Sequence, residues 1–315
     1  MLIPVSQIFA GLLLLYAGAE SLVRGSTRLA LRLGMSRLVV GLTVIAFATS
    51  SPELIVGIQT SLNGQGSFVL GNMVGSNICN IALILGVSAL IYPIQTHIKV
   101  IRFEIPVLLV TTILCCLLVF NRVLSPFEGV FLLSCFILYV IVSIRLARNE
   151  SRASKEEKCN PSLEHSKGNI LLDLVFITTG IFILMFGAHY LVRGATTVAL
   201  SFNVSEAMIG LTIGAIGTSL PELAAAIVAS SKRESDIIVG NVIGSNLFNI
   251  LCVLAIASLI HPIKAPDIQN VDLVLMLVLA ILALPIMKSG RRISRIEGAF
   301  LATLYLGYLT YRIFG

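Results

Sequence analysis

Charged residues are scarce in this sequence. They make up only 12% of its 315 residues, whereas hydrophobic residues make up 57%, and water-soluble domains carry about 25% charged residues. This shortage excludes a water-soluble enzyme and an intrinsically disordered protein. The hydrophobic residues occur instead in blocks of about 20, the length of a helix that crosses a lipid bilayer. The sequence therefore predicts an all-α membrane protein embedded in the lipid bilayer.

Sequence patterns for several kinds of site are also missing. The six cysteines show neither the paired spacing of a disulfide framework nor a Cys-x-x-Cys metal motif. There is no His-Glu-x-x-His or Gly-x-Ser-x-Gly motif, which disfavours an enzyme such as an intramembrane hydrolase. The net charge of +6 is explained by cytoplasmic loops rich in lysine and arginine. We therefore expect no nucleic-acid partner and no cofactor.

Ten hydrophobic blocks can be drawn along the chain, and they predict ten transmembrane helices. Sorting the loops onto alternating sides places eighteen lysines and arginines on one side and four on the other. Because basic residues collect in cytoplasmic loops, the first side is predicted to be cytoplasmic and both termini to lie outside. The predicted blocks are 5–23, 38–62, 68–91, 104–120, 126–146, 169–192, 207–230, 237–260, 271–287 and 296–314.

The two halves of the sequence are copies of each other. The motif Gly-x-Thr-x-x-Ala-x-x-Thr-Ser-x-Pro-Glu occurs at 41–53 and at 210–222, and Gly-Asn-x-x-Gly-Ser-Asn-x-x-Asn occurs at 71–80 and at 240–249, both at an offset of 169. Each copy has five predicted crossings, an odd number, so the second copy enters the membrane from the opposite side. Inverted repeats of this kind are typical of secondary transporters. The predicted organisation is a first five-helix repeat (1–146), a water-exposed cytoplasmic linker (147–168) and a second, inverted five-helix repeat (169–315).

Two glutamates, Glu53 and Glu222, are the only acidic residues deep inside hydrophobic blocks. A carboxylate at that depth costs at least ~2–3 kcal/mol and marks a candidate functional site. No lysine or arginine lies at a similar depth to neutralise either one. Each glutamate follows a proline, Pro52 or Pro221, and proline breaks a helix and frees backbone carbonyl oxygens. We therefore predict that helices 2 and 7 are broken and that the two glutamates bind a cation from solution.

Oxygen ligands surround both glutamates in the sequence. Sites built only from oxygen suit hard cations, Ca²⁺ more than Mg²⁺, and argue against zinc and copper. Gly-xxx-Gly spacing predicts close helix packing, and the asparagines beside it either bind backbone groups freed by the break or add further oxygens. The candidate ligands are Glu53, Glu222, Thr49, Ser50, Thr218, Ser219, Ser76, Ser245, Asn80 and Asn249. The candidate packing and supporting residues are Gly71, Asn72, Gly75, Asn77, Gly240, Asn241, Gly244, Asn246, Pro52 and Pro221.

The two repeated motifs resemble the α-repeats of the sodium/calcium exchanger family, and the chain is similar to its short prokaryotic members. The resemblance implies ten helices in a bacterial or archaeal inner membrane and the same candidate ligands, joined by the carbonyl oxygens of Ala46 and Ala215. Two departures from the family matter. Asn249 stands where some members have Asp, which argues against K⁺ dependence. The linker 147–168 is too short to hold the Ca²⁺-sensing domains of animal exchangers.

The sequence thus predicts an antiporter that exports Ca²⁺ in exchange for Na⁺ by alternating access. Two carboxylates give the empty site a charge of about −2, which one Ca²⁺ or two Na⁺ neutralise. The neutral site is then enclosed and opened to the other side of the membrane at lower cost. The main alternative is a proton-coupled exchanger of the same fold, because buried carboxylates also bind protons. A passive cation channel and an intramembrane hydrolase are more remote alternatives. A monomer is sufficient for this mechanism, and the sequence does not predict an oligomeric state.

Overall fold

The protein is a bundle of helices. The structure is a computed structural model, and it describes residues 2–33, 35–157, 169–202 and 215–314. The helices are α1 (Leu2–Leu33), α2 (Arg37–Thr49), α3 (Ser51–Leu62), α4 (Gly66–Ile91), α5 (Val100–Leu118), α6 (Pro126–Glu157), α7 (Ile170–Ser201), α8 (Ala215–Thr218), α9 (Leu220–Ser231), α10 (Ser235–Ile260), α11 (Asn270–Lys288) and α12 (Arg295–Phe314). The described residues also form four short strands, β1 (Ile94–Gln95), β2 (Val123–Leu124), β3 (Ile263–Lys264) and β4 (Arg292–Ile293).

Most of these helices have the length and composition of membrane spans. Among the described residues, seven helices are long and apolar enough to cross a membrane, or eight if the bent pair of α2 and α3 is one span. Helix α9 is a shorter apolar helix of 12 residues. Residues 203–214, which precede α8, lie outside the described part of the chain. The prediction of a multi-pass helical membrane protein is confirmed.

Helix α6 continues beyond the hydrophobic block that predicted it. It ends at Glu157, eleven residues past the predicted boundary at 146. Residues 147–157 consist mostly of alanine, arginine, glutamate and lysine, which have high helix propensity even where they are polar. The first half of the predicted linker is therefore helical, and residues 158–168 lie outside the described residues.

Two helices are broken next to a proline, as the sequence predicts. Helices α2 and α3 meet at Ser50 with a bend of 44°, and α8 and α9 meet at Ser219. The two serines have nearly the same backbone conformation, with φ −86° and ψ 8° at Ser50 and φ −87° and ψ 5° at Ser219. Pro52 and Pro221 follow in the first turn of α3 and α9, where the missing N–H is tolerated because it has no partner within the helix.

Helices α1 and α7 form a closely packed pair along glycine-lined faces. A Cβ atom on Gly18 would lie 2.7 Å from the backbone nitrogen of Leu184, and one on Gly180 would lie 2.7 Å from the backbone nitrogen of Leu22. Close backbone approach at small residues is typical of helix pairs in membranes. This contact was not predicted from the sequence, although glycines recur every seven residues along each helix. These glycines are Gly11, Gly18, Gly25, Gly180, Gly187 and Gly194.

Each contact between the two halves described here occurs twice. The residues of the second contact occupy the positions equivalent to those of the first, at the offset of 169. Strand β1 pairs with β4 and β2 pairs with β3, both antiparallel. Beside these strands, the backbone nitrogen of Thr96 donates to the carbonyl of Arg291 at 2.9 Å, and that of Ala265 donates to the carbonyl of Arg122 at 2.9 Å. The all-α prediction did not include these strands. Each one pairs with a strand of the other half, so the halves interlock.

Candidate functional site

The two predicted glutamates are buried at the two helix breaks. The exposed fractions of Glu53 and Glu222 are 0% and 1%. Each lies in the first turn of the helix that follows the break, where the partial positive charge of a helix N-terminus favours a carboxylate. Among the described residues, no lysine, arginine or histidine forms an ion pair with either glutamate. Both carboxylates are therefore enclosed without a basic partner.

The broken turn of the first half contacts the glutamate of the second half. The Ser50 hydroxyl donates to Oε1 of Glu222 at 2.8 Å. At the equivalent place in the other half, the Ser219 hydroxyl and both carboxylate oxygens of Glu53 have no hydrogen-bond partner among the described residues. A hydrogen bond thus joins the break of one half to the glutamate of the other, and among the described residues the two glutamates are not equally bonded.

The threonines of the broken turns bond to asparagines of the opposite half. The Thr49 hydroxyl lies 3.0 Å from Oδ1 of Asn241, and the Thr218 hydroxyl lies 3.3 Å from Oδ1 of Asn72. The amide nitrogen of Asn241 also contacts the backbone carbonyl of Glu222 at 3.5 Å. Each supporting asparagine therefore joins its own helix to the broken turn that the other half contributes.

Two further asparagine pairs cross between α4 and α10. Asn80 donates from its side-chain nitrogen to Oδ1 of Asn246 at 2.9 Å, and Asn249 donates to Oδ1 of Asn77 at 3.2 Å. These bonds use the amide nitrogens of the two candidate ligands, Asn80 and Asn249. Their amide oxygens are buried and have no hydrogen-bond donor in the described part of the chain.

Eight buried side-chain oxygens of the candidate ligands have no hydrogen-bond partner among the described residues. Buried polar atoms without a partner are uncommon because each one costs desolvation free energy. A bound cation would satisfy them, and Ca²⁺ takes 6–8 oxygen ligands. The oxygens are Oε1 and Oε2 of Glu53, Oε2 of Glu222, Oγ of Ser76, Ser219 and Ser245, and Oδ1 of Asn80 and Asn249.

The composition of this set favours one class of metal ion. In the part of the chain that the structure describes, no group of three or more His, Cys, Asp or Glu side chains could hold a metal ion. A cation at this site would be bound by two carboxylates together with hydroxyl and amide oxygens. Such ligands suit a hard cation rather than zinc or copper.

Both helices that carry the asparagines widen at the site. Helix α4 has a π-helical turn over Asn80–Ile84, and α10 has one over Asn249–Val253. A π-helical turn inserts an extra residue and changes the direction of the side chains that follow, and such turns are frequent at functional sites. Each turn begins at a candidate ligand. The hydrophobic pattern contained no signal for these turns.

The family resemblance implies two carbonyl ligands, those of Ala46 and Ala215. The carbonyl oxygen of Ala46 accepts a hydrogen bond from the backbone nitrogen of Ser50 at 3.0 Å. It is therefore already bonded in this structure. Ala215 is the first residue of α8, and the residues before it lie outside the described part.

The glycines of α10 allow it to pack directly on α2. A Cβ on Gly240 would lie 2.6 Å from the carbonyl oxygen of Leu38, and a Cβ on Gly244 would lie 2.5 Å from that of Leu42. Gly71 and Gly75 have no neighbour of this kind within 4 Å among the described residues. Residues 207–211, the copy of the segment from Leu38 to Leu42 that Gly240 and Gly244 contact, lie outside the described part.

A cavity of about 440 Å³ opens beside Thr218, between α3, α7 and α8. Its walls are mostly apolar, and His189 and Arg193 of α7 are its basic residues. The cavity connects one face of the bundle to a candidate ligand. The lining residues are Pro52, Ile55, Val56, Met185, Ala188, His189, Val192, Arg193, Gly217 and Thr218.

One neighbour of the site was not identified from the sequence. The side-chain nitrogen of Asn77 lies 3.9 Å from the sulfur of Met276, which is buried on α11. Met276 lies in an ordinary hydrophobic block outside both repeated motifs, so no sequence signal marked it.

Comparison with known proteins gives consistent matches over nearly the whole chain. The family model described as sodium/calcium exchanger protein matches residues 3–145 and 172–314. The putative antiporter CaxA of Alkalimonas amylolytica is 35% identical over 98% of both chains. The inner membrane protein YrbG of Escherichia coli is 38% identical over 83% of this chain and 81% of its own. A solved structure of the sodium-calcium exchanger NCX_Mj, soaked with Na⁺ and Sr²⁺, is 32% identical, covers 98% of both chains and has a TM-score of 0.84.

Proposed function

The chain belongs to the sodium/calcium exchanger family, and from this premise we propose that it exports Ca²⁺ in exchange for Na⁺ that enters the cell. The observation that carries the proposal is the set of eight buried oxygens that have no partner within the described ranges and that both halves supply. Their chemistry matches the oxygen ligands of Ca²⁺ and Na⁺.

The charge of the site accounts for coupled exchange. Glu53 and Glu222 together carry about −2 when both are ionised, and one Ca²⁺ or two Na⁺ balance that charge. When the site is enclosed before it opens to the other side, a neutralised site costs less free energy in the low-dielectric interior than an empty charged one. The empty protein is therefore held back, and a cation that leaves on one side must be replaced by another. Asn249 adds no third charge, which supports exchange without K⁺.

The proposed ligands are the two glutamates with hydroxyl and amide oxygens from the same breaks and from α4 and α10. Asn77 and Asn246 orient the amides of the ligand asparagines through their hydrogen bonds. Asn72 and Asn241 tie the broken turns to the opposite half. The proposed ligand set is Glu53, Glu222, Thr49, Ser50, Thr218, Ser219, Ser76, Ser245, Asn80 and Asn249, with the carbonyls of Ala46 and Ala215.

The proposed topology has ten membrane spans in two inverted repeats, with both termini outside. The predicted block 207–230, whose described part is α8 and α9, is the proposed seventh span, and α12 is the proposed tenth. The excess of basic residues on one side supports the orientation, and the pairs of contacts that recur 169 residues apart support the internal symmetry. Since one chain contains every proposed ligand, a monomer is sufficient.

The coupling ion is the part of the proposal that a transport assay tests most directly. Inverted membrane vesicles loaded with Na⁺ and diluted into Na⁺-free buffer are expected to take up ⁴⁵Ca²⁺, because outward Na⁺ flow drives Ca²⁺ inward. Vesicles with equal Na⁺ on both sides, with or without a pH gradient, are expected to remain near the level of vesicles that lack the protein.

Two results would contradict this expectation in different ways. Uptake driven by the pH gradient alone would identify a proton-coupled exchanger of the same fold. Uptake with neither gradient would identify a channel. Adding a Na⁺ ionophore to Na⁺-loaded vesicles is the control, because it should abolish uptake by an exchanger without affecting the amount of protein.

A further inference from the structure

We propose that Glu20 and Lys232 are positioning residues of the exchange cycle, because their ion pair closes one face of the protein over the ion site and has no counterpart on the other face. This inference rests on the proposed alternating-access function. Neither residue belongs to the repeated motifs or to the candidate ligand set.

The ion pair joins α1 to the turn between α9 and α10. The Lys232 ammonium lies 2.7 Å from Oε1 of Glu20, and neither side chain is more than about one-third exposed. The same turn is held to α2, because Arg37 contacts Oε2 of Glu234 at 2.6 Å. Helix α1 is thereby connected to the part of the bundle that carries Glu222.

The equivalent turn of the other half has the same backbone but no charge. We name residues 232–234 (Lys-Arg-Glu) the charged turn and residues 63–65 (Asn-Gly-Gln) the neutral turn. Lys232 has φ −89° and ψ 0°, against −85° and 2° at Asn63. The middle residues have φ +60° at Arg233 and φ +70° at Gly64. Residues other than glycine seldom adopt a positive φ, yet the charged turn has Arg233 at this position. The guanidinium carbon of Arg233 lies 5.3 Å from the centre of the Tyr92 ring.

The ion pair cannot be rebuilt on the opposite face. The position equivalent to Glu20 is His189, and the position equivalent to Lys232 is Asn63. His189 lines the open cavity between α3 and α7. A histidine and an asparagine do not attract each other as opposite charges do, so no corresponding bridge can close that boundary.

Burial differs between the two faces in the same sense. Val56 and Val192 line the cavity and are half-buried, and Ala188 beside them is 8% exposed. Their equivalents on the face of the charged turn are Ala19, Val23 and Ala225, which are 0%, 1% and 1% exposed. The described residues are therefore closely packed on the face that has the ion pair, whereas a cavity reaches Thr218 on the face that lacks it.

The internal symmetry explains why this difference matters. In two inverted copies, the state open to one face is built from nearly the same contacts as the state open to the other. Residues that differ between the copies therefore decide which state is more populated, and an interaction made in only one state shifts the population by its own free energy. The Glu20–Lys232 pair is made only when the face of the charged turn is closed.

Cysteine labelling of the purified full-length protein in ion-free detergent solution tests the proposal. Ala225→Cys reports opening of the sealed face, and Val56→Cys reports opening of the cavity. A maleimide is applied, and the modification of that one residue is quantified by peptide mass spectrometry. Glu20→Gln and Lys232→Met are each expected to raise the labelling rate at position 225 by up to about fivefold, the range for partly exposed ion pairs, and to lower the rate at position 56.

Matched variants separate closure of a face from general loosening. Arg24 also contacts Oε1 of Glu20, at 2.9 Å and within α1, so Arg24→Gln removes a charge but leaves the Glu20–Lys232 pair in place, and it should change both rates less than Lys232→Met does. The charge reversal Glu20→Lys with Lys232→Glu should restore both rates towards the wild type. His189→Glu with Asn63→Lys builds an ion pair on the cavity face and should slow labelling at position 56.

The outcome is decisive whichever ion is transported. Equal increases at both reporter positions, or no change in Glu20→Gln, would overturn the proposal. Labelling requires neither Na⁺ nor Ca²⁺, so a failure of Na⁺-driven Ca²⁺ uptake in vesicles would refute the proposed function without altering the labelling result.

Discussion

Glu53→Gln and Glu222→Gln are each expected to reduce Na⁺-driven Ca²⁺ uptake to background, at least about 100-fold below the wild type. Each substitution keeps the size of the side chain but removes one of two negative charges, so one Ca²⁺ no longer neutralises the site. A loss of ~2.7 kcal/mol in binding already corresponds to about 100-fold, and a buried carboxylate that contacts a divalent cation contributes more than a neutral amide. Uptake of ⁴⁵Ca²⁺ into Na⁺-loaded inverted vesicles measures the effect.

The matched control for these variants is Glu128→Gln. Glu128 accepts from the backbone nitrogen of Ser125 at 2.6 Å, so it caps the start of α6 rather than facing the site. Glutamine also serves in a capping box, and transport should remain normal. Equal yields and matching size-exclusion profiles would show that all three variants fold. Normal uptake by Glu53→Gln or Glu222→Gln would contradict the assigned site.

Gly244→Ala is expected to lower both thermal stability and transport strongly. A Cβ at this position would lie 2.5 Å from the carbonyl oxygen of Leu42 and 2.7 Å from Cβ of Ala46, so α2 and α10 must separate. Overpacking of this kind costs about 1–3 kcal/mol. It also displaces the segment that leads to Thr49 and Ser50, which moves ligands away from Glu222. The melting temperature in detergent and the vesicle assay measure the two effects.

Gly307→Ala is the corresponding control for this substitution. Gly307 lies on α12 and would place a Cβ with no neighbour within 4 Å among the described residues. Since alanine is favoured over glycine inside a helix by about 1 kcal/mol, this variant should be as stable as the wild type or slightly more so. If both substitutions behaved alike, close packing of α10 on α2 would not be what requires glycine at position 244.

Local chemistry made part of this protein predictable without any structure. The hydrophobic blocks predict membrane helices because a bilayer accepts only apolar segments whose backbone groups are bonded internally. Pro52 and Pro221 predict the two breaks because proline lacks an N–H. The duplicated motifs predict that the halves share one plan, and Glu53 and Glu222 are conspicuous because ionised groups are costly in an apolar block.

Relationships between distant residues were decided only by the tertiary structure. Ser50 contacts Glu222 at 2.8 Å, and Asn80 contacts Asn246 at 2.9 Å, although each pair lies more than 160 residues apart in sequence. The π-helical turns that begin at Asn80 and Asn249 are likewise absent from the hydrophobic pattern.

The sequence by itself therefore determined the membrane helices, the breaks and the two acids, because these depend on a residue and its immediate neighbours. Which oxygens remain without partners among the described residues, and the pairing of Glu20 with Lys232, depended on how the two halves pack. Packing is a property of the whole chain, since every contact between halves requires two surfaces that no local pattern describes.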